Sequence, residues 1–440
     1  MDKANRQRGN AMEIFQRNKS NANMETKMII SKCYRKISFL IRYWKLTQKI
    51  TFIIMVFICS LNISAADFEL KALYDPKGWH KSLGASIAAG DEAGILKVKL
   101  PGTVIRTIAY PWHIRESFLN KKGLAFKIRG DGKDHYIPVR VFFLNTHFRY
   151  YTYVPVKGND WQEIQIAWDD FLCLNDSSFE IGGGHGIPVS AFCGLGFGDR
   201  WQLTYANTPV SPFTFEVKDL RLVENPIPRY RRKKFKTPAV ASVIEKMKKR
   251  QPVLIYCHGD SITAGTNVKE KRYANLLQNE LSKYYGYDAI TVKTIAVGGA
   301  TSYDLQLWAE KDFSGTVKPD LVTICVGAND INQARPTLSF KASVNDLLDR
   351  IITYTDGKTS ILLIPTLPGQ MWHRNLMDDY AKAIREIALD RNLDLYDLAK
   401  DVADIPEKDL KSFFCRNDTL HPSLSGHQFI SEKLFSFLKK

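Results

Sequence analysis

The period of the hydrophobic pattern along this chain changes once, near residue 225. Between residues 67 and 224, apolar and polar positions alternate over short runs rich in aromatic and β-branched side chains. The runs 123–129, 137–143 and 161–166 are examples, separated by turn-forming stretches such as Gly130-Asp131-Gly132 and Lys157-Gly158-Asn159-Asp160. A period of two sends successive side chains to opposite faces. Each run therefore reads as a strand with one buried face, and the series predicts an all-β antiparallel sandwich over 67–224.

Beyond residue 238 the pattern becomes strand, helix, strand, helix. Apolar, β-rich runs at 253–256, 290–297, 321–326 and 361–364 alternate with stretches of 3.6-residue spacing at 273–284, 344–354 and 377–389, and the chain ends in a predicted helix over 426–439. Regular alternation of this kind predicts an α/β domain over 239–440, a parallel sheet with helices on both faces. Ligands of such sheets bind beyond the carboxyl ends of the strands. Between the halves, residues 225–238 carry Pro226, Pro228 and Pro238 around the basic run from Arg229 to Lys236. This composition predicts a solvated, semi-rigid linker.

Charge adds one correction to a first impression. The net charge of +16 suggests nucleic acid until it is located: residues 1–66 hold twelve basic residues against three acidic ones, and the linker holds much of the rest. No nucleic-acid partner is expected. Arg42, Lys45 and Lys49 precede a 12-residue apolar run at 50–61 and then Ser64-Ala65-Ala66. A basic flank, a short apolar core and a small-x-small site read as a secretory signal peptide over 1–66, with Met24 or Met28 as alternative starts. The run is shorter than the roughly 20 apolar residues of a membrane-spanning helix, so a secreted or periplasmic protein without stable membrane insertion is expected. An uncleaved signal-anchor is the alternative. None of the seven cysteines has metal-site spacing; Cys257 and Cys325 fall in strand-like runs, and Cys173 and Cys193 are a candidate pair.

The chemistry sits where the strands of the second half stop. The first stops at Gly259-Asp260-Ser261, the second at Val297-Gly298-Gly299-Ala300-Thr301-Ser302, and the third at Val326-Gly327-Ala328-Asn329-Asp330. Asp418 and His421, three apart and so one helical turn in separation, precede the last helix. Ser261, His421 and Asp418 supply a nucleophile, a base and a group to orient the base. Asp260 reads as a structural hydrogen-bonder, and His258 and His427 as structural histidines. Trp372 and His373 follow the fourth strand, and Trp372 is a candidate substrate-binding residue.

On these blocks the second half resembles the GDSL/SGNH hydrolases: Ser261 in Gly-Asp-Ser, Gly299 in Gly-Gly-Ala-Thr-Ser, Asn329 in Gly-Ala-Asn-Asp and His421 in Asp-Thr-Leu-His-Pro. The resemblance implies a flavodoxin-like three-layer α/β/α domain and a serine esterase needing no cofactor and no metal. It also implies an oxyanion hole from the Ser261 amide, the Gly299 amide and the Asn329 side-chain NH2. The first half resembles, more diffusely, a galactose-binding-like, jelly-roll carbohydrate-binding module, through segments 122–132, 161–171 and 213–222. Trp112, Tyr150, Tyr151, Tyr153 and Trp201 are its candidate sugar-stacking residues, with Trp161 and Trp168 assigned to the core. The joint expectation is an exported esterase acting on an acylated polysaccharide or oligosaccharide, removing acetyl groups. A lipase, lysophospholipase or thioesterase is the alternative within the same resemblance, and a non-catalytic glycan-binding protein the alternative outside it.

Overall fold

Short alternating strands close into two antiparallel sheets in the first half. The computed structural model describes residues 68–440 except 82–83, 102–108, 112–120, 144–149, 174–191, 199–211, 366 and 368–373. One sheet runs β3 (Ser86–Ala89), β4 (Leu96–Leu100), β12 (Phe213–Val223), β6 (Gly123–Arg129), β9 (Gln162–Ala167), with β1 (Phe68–Glu69) also on β12. The other runs β10 (Leu172–Cys173), β8 (Tyr150–Val156), β7 (His135–Phe143), β11 (Phe192–Phe197), β5 (Ala109–Pro111), β2 (Trp79–Lys81). Their facing sides bury one core, in which Phe197 stacks on Trp79 at 5.9 Å and meets Phe126 and Phe215 edge-on at 5.9 and 5.5 Å. This is the expected antiparallel β-sandwich. Trp168 belongs to its core as expected, with its indole N–H donating to the Lys121 carbonyl at 2.8 Å.

The parallel sheet of the second half has the order β14 (Ile290–Ala296), β13 (Val253–Gly259), β15 (Leu321–Cys325), β16 (Ser360–Ile364), β17 (Asp394–Leu395). The first strand in the sequence thus lies inside the second, a flavodoxin-like 2-1-3-4-5 order with its switch point between β13 and β15. Strands β15 and β16 are buried at every position, which is why they read as unbroken apolar runs, whereas edge strand β14 alternates. Flanking helices are α1 (Val240–Lys248), α2 (Ser261–Ala264), α3 (Tyr273–Tyr285), α4 (Ser302–Phe313) and α5 (Ala328–Asn332). They continue with α6 (Thr337–Tyr354), α7 (Arg374–Arg391), α8 (Leu398–Ala403), α9 (Glu407–Phe413) and α10 (Leu424–Leu438). Helix α4 was not legible as a periodic stretch. Nine of its twelve residues are buried, so it has no polar stripe to mark a helical repeat.

Residues 67–440 form one compact unit, and strand β8 explains how two cores meet in it. Its side chains alternate: Tyr150, Val154 and Val156 enter the sandwich core, while Tyr151 and Tyr153 enter the core of the α/β half. All three tyrosines are at most 3% exposed. They are therefore not a sugar-stacking platform, because their ring faces are occupied by packing. Trp161 departs in the other direction. Expected in the core, it is half-buried at the surface, with the Arg129 guanidinium 4.8 Å and the Lys218 ammonium 4.2 Å from its ring centroid. Trp112 and Trp201 lie outside the described residues, as do residues 1–66 and with them the predicted signal peptide.

The basic segment 225–238 is more than a solvated tether. The Asp170 carboxylate accepts from the backbone of Ala167, Arg229 and Tyr230 at 2.9–3.1 Å, which ties the segment to the end of β9. Arg229 then pairs with Glu310 of α4, Arg232 with Asp349 and Lys233 with Asp356, so acidic groups of the α/β half hold the run that looked free in sequence. Among the described residues no helix is long and apolar enough to cross a membrane.

Candidate active site

Ser261 is the first residue of helix α2, directly beyond the carboxyl end of β13. The turn is tight for a steric reason: a Cβ on Gly259 would sit 2.4 Å from the Cys325 carbonyl oxygen and 2.5 Å from Thr263 Oγ1. Asp260, fully buried, caps α2 by accepting from the Ile262 amide at 3.0 Å, which is the structural role expected of it. Burial pushes its carboxyl up to about 7, against the pull of the Ile262 amide and with the help of the Asp330 charge.

The Ser261 hydroxyl donates to His421 Nε2 at 2.8 Å, and His421 Nδ1–H donates to Asp418 Oδ2 at 2.6 Å. The tautomer follows from the partner, since an ionised carboxylate only accepts. Asp418 and His421 do not lie on a helical turn as their spacing suggested. They sit on a bend between α9 and α10, where Asp418 Oδ1 accepts from the Leu420 and His421 amides at 2.9 and 3.0 Å. Burial tends to raise the Asp418 carboxyl, but these two amides and the imidazole outweigh it and hold it below the usual carboxylate range. The bend is pinned at both ends: the Cys415 amide donates to the His421 carbonyl at 2.9 Å and the Ser423 amide to Phe413 at 2.8 Å.

Opposite Ser261 lie the ends of β14 and β15. Gly299 has φ +83°, a left-handed conformation that favours glycine, in the turn before α4. The Asn329 side-chain amide donates to the Ala300 carbonyl at 3.0 Å, which joins the β15 turn to the β14 turn and leaves its second N–H for another acceptor. The Ser261 amide, at the start of a helix, is one of the donors that a helix leaves without an internal partner. Sequence reading passed over the residue that locks this corner. Asp330 is fully buried; its carboxylate accepts from the Ser302 amide at 2.9 Å and the Ser302 hydroxyl at 2.6 Å, and Arg335 reaches it at 3.2 Å. Burial pushes Asp330 up to about 6 against the pull of Arg335 and Ser302. Its signal in the sequence was its place directly after Asn329, in a block otherwise read for one residue.

The remaining candidates separate cleanly. His427 is buried and accepts from the Tyr273 amide at 3.2 Å, while His258 is buried against Asp312 at 3.1 Å, and burial holds it neutral, at about 3. Trp372 and His373 lie outside the described residues. A separate cleft of 540 Å³, lined by Asp401, Asp404, Asp409, Phe429, Glu432 and Lys433 among others, contains none of Ser261, Asp418 and His421.

Residues 257–429 match the GDSL-like Lipase/Acylhydrolase family. The C-terminal half is a GDSL/SGNH-type hydrolase domain. Solved structures similar to this domain include a lipase/acylhydrolase from Enterococcus faecalis, 22% identical over 42% of this chain and 95% of that one, with a TM-score of 0.38. The acetylxylan esterase Axe2 from Geobacillus stearothermophilus is 20% identical over 43% of this chain and 94% of its own, with a TM-score of 0.36. TesA is 19% identical over 42% and 98%, with a TM-score of 0.37. No curated protein matches the chain. The family match begins at Cys257 and ends at Phe429, so the sandwich lies wholly outside it.

Proposed function

We propose that this protein is an exported serine esterase that hydrolyses carbohydrate esters, removing acetyl groups from a glycan. The observation that carries the reading is the unbroken hydrogen-bonded line Ser261–His421–Asp418 at the carboxyl edge of a hydrolase-domain sheet. His421 Nε2 takes the Ser261 proton as Oγ attacks the ester carbonyl carbon, and Asp418 stabilises the imidazolium that forms. The carbonyl oxygen becomes an anion, met by the Ser261 amide, the Gly299 amide and the free N–H of Asn329. Collapse expels the sugar alcohol, which receives the proton from His421. Water, deprotonated by the same imidazole, then cleaves the acetyl–serine ester to acetate and Ser261. Every proton in this cycle moves through His421.

The sandwich ahead of the hydrolase domain supports a glycan as the alcohol half, and we read it as a carbohydrate-binding module of jelly-roll type. With Tyr150, Tyr151 and Tyr153 buried, Trp112 and Trp201 are the stacking candidates left among the five. The test is acetate release from a panel of acetylated polysaccharides, with Ser261→Ala as control. Purified protein should release acetate and the variant should not. A series of p-nitrophenyl esters of rising acyl length separates the lipase reading: preference for long chains over acetate would overturn the acetyl assignment and keep the serine mechanism.

A further inference from the structure

Helix α4 connects the proposed oxyanion turn to the sandwich. It starts at Ser302, two residues after Ala300, and is capped by a reciprocal pair in which Thr301 and Asp304 each accept from the other's backbone amide. On one side Asp330 holds Ser302 by both its amide and its hydroxyl. On the other, the fully buried Tyr303 donates its hydroxyl to the carbonyl of Leu172 at 2.7 Å. Leu172 belongs to β10, an edge strand of the sandwich. The Tyr303 ring also lies 5.7 Å from the Arg335 guanidinium, whose two terminal nitrogens bind Asp330 and Ser343. At the far end of α4, Glu310 is held by Arg229 of the connecting segment. A helix buried on nearly every side has several neighbours, and here they are helix α6, strand β8 of the sandwich, and the parallel sheet, where Asp312 and Phe313 meet His258 and Tyr256.

We propose that the sandwich positions the oxyanion turn of the hydrolase domain, and that Tyr303 is the positioning residue that transmits its hold. Tyr303 touches no reacting atom. It fixes the start of α4 between Leu172 and Arg335, and so fixes where the Gly299 amide and the Asn329 side-chain amide, bonded to the Ala300 carbonyl, point. Oxyanion donors act only where the charge develops, so a small shift of this turn lowers kcat and leaves ground-state binding alone. The inference rests on the serine esterase reading for its kinetic arm and is independent of it for its structural arm.

The test uses the full chain and Tyr303→Phe, which removes one oxygen and keeps the packing. For a small acetyl ester, kcat should fall about tenfold with KM unchanged, below the ~100-fold cost of a 1 Å misplacement. In an Asn329→Ala background the same substitution should cost no more than about twofold, because both act through one turn. Amide hydrogen exchange across 297–304 should accelerate in Tyr303→Phe, while strand 321–325 keeps its protection. Unchanged kcat, an equal loss in both backgrounds, or unchanged exchange across 297–304 each overturn the proposal. If Ser261→Ala abolishes hydrolysis while Tyr303→Phe is fully active, the positioning role fails and the serine mechanism stands. If the wild-type protein hydrolyses no ester, the exchange measurement still decides the structural claim.

Discussion

The two halves of residues 67–440 use their distinctive side chains in opposite ways. In the hydrolase domain, the polar groups of the candidate site are each held by a named partner: Ser261 by His421, His421 by Asp418, Asn329 by Ala300, Ser302 by Asp330. In the sandwich, most of the described aromatic residues are held collectively, by packing into one core or the other. A polar group at a strand end gains little from burial alone, so it is there either to brace the turn, as Asp260 and Asp330 do, or as a candidate for chemistry. An aromatic ring gains from burial almost anywhere. Type and position therefore mark a candidate site in the first case and leave it open in the second.

The largest test of this contrast is Ser261→Ala. Acetyl-ester hydrolysis should drop by on the order of a million-fold in kcat, while the thermal midpoint stays within a few degrees of the parent. A variant that retains more than a few per cent of the activity would break the first half of the comparison, because the polar constellation would then be structural. Next in size is Asp260→Asn, read as stability against pH. The folded-state pKa of Asp260 is raised to about 7, so its contribution is fully present below the unfolded value of 3.8 and lost as pH rises through 7. Relative to the Asp260→Asn variant, which has no carboxyl to titrate there, wild type should therefore lose stability between pH 4 and 7, by up to about 4 kcal/mol as an upper bound. Parallel curves for the two proteins in denaturant melts at pH 4, 5.5 and 7 would show that Asp260 stays ionised when folded.

Asn329→Ala comes third. It removes one proposed oxyanion donor and the link to Ala300, and should lower kcat by about 100- to 1000-fold with little change in KM. A rise in KM alone would make Asn329 a substrate-binding residue.

These residues also show why the candidate site is legible in sequence and its scaffold less so. Ser261, Gly299 and Asn329 stand in short blocks at the ends of strands that the period of hydrophobicity locates, and His421 stands in a short block just before the last helix. The strands were readable because β15 and β16 are covered on both faces and so almost wholly apolar, with only Thr323 and Ser360 polar. Helix α4 was hidden by the same cause. Burial against helix α6, the sheet and the sandwich removes the polar stripe by which a helix announces itself, and no local signal in 302–313 tells that a second domain will cover it. The bend at 418–421 was misread as a helical turn because a three-residue spacing fits both. The choice was made by Asp418 Oδ1, which takes two backbone amides that a helix would have used internally.

The smallest predicted effect completes the comparison on the sandwich side. Tyr151, within β8, and Trp161, just before β9, are both aromatic residues of the sandwich, and sequence assigned each to the other's environment. Trp161 is half-exposed, lies beside Arg129 and Lys218, and adds a cation–π contact of about 0.5–1 kcal/mol for an exposed site. Tyr151 is buried in the core shared with the hydrolase domain, and truncating a buried aromatic costs about 3–5 kcal/mol. Trp161→Ala should thus shift the denaturant midpoint slightly and leave acetyl-ester hydrolysis unaltered, whereas Tyr151→Ala should destabilise the whole unit. Equal losses from the two substitutions in urea melts would mean that the outer face of the first sheet is packed against something in solution. The aromatics of the sandwich would then have to be reassigned between packing and recognition.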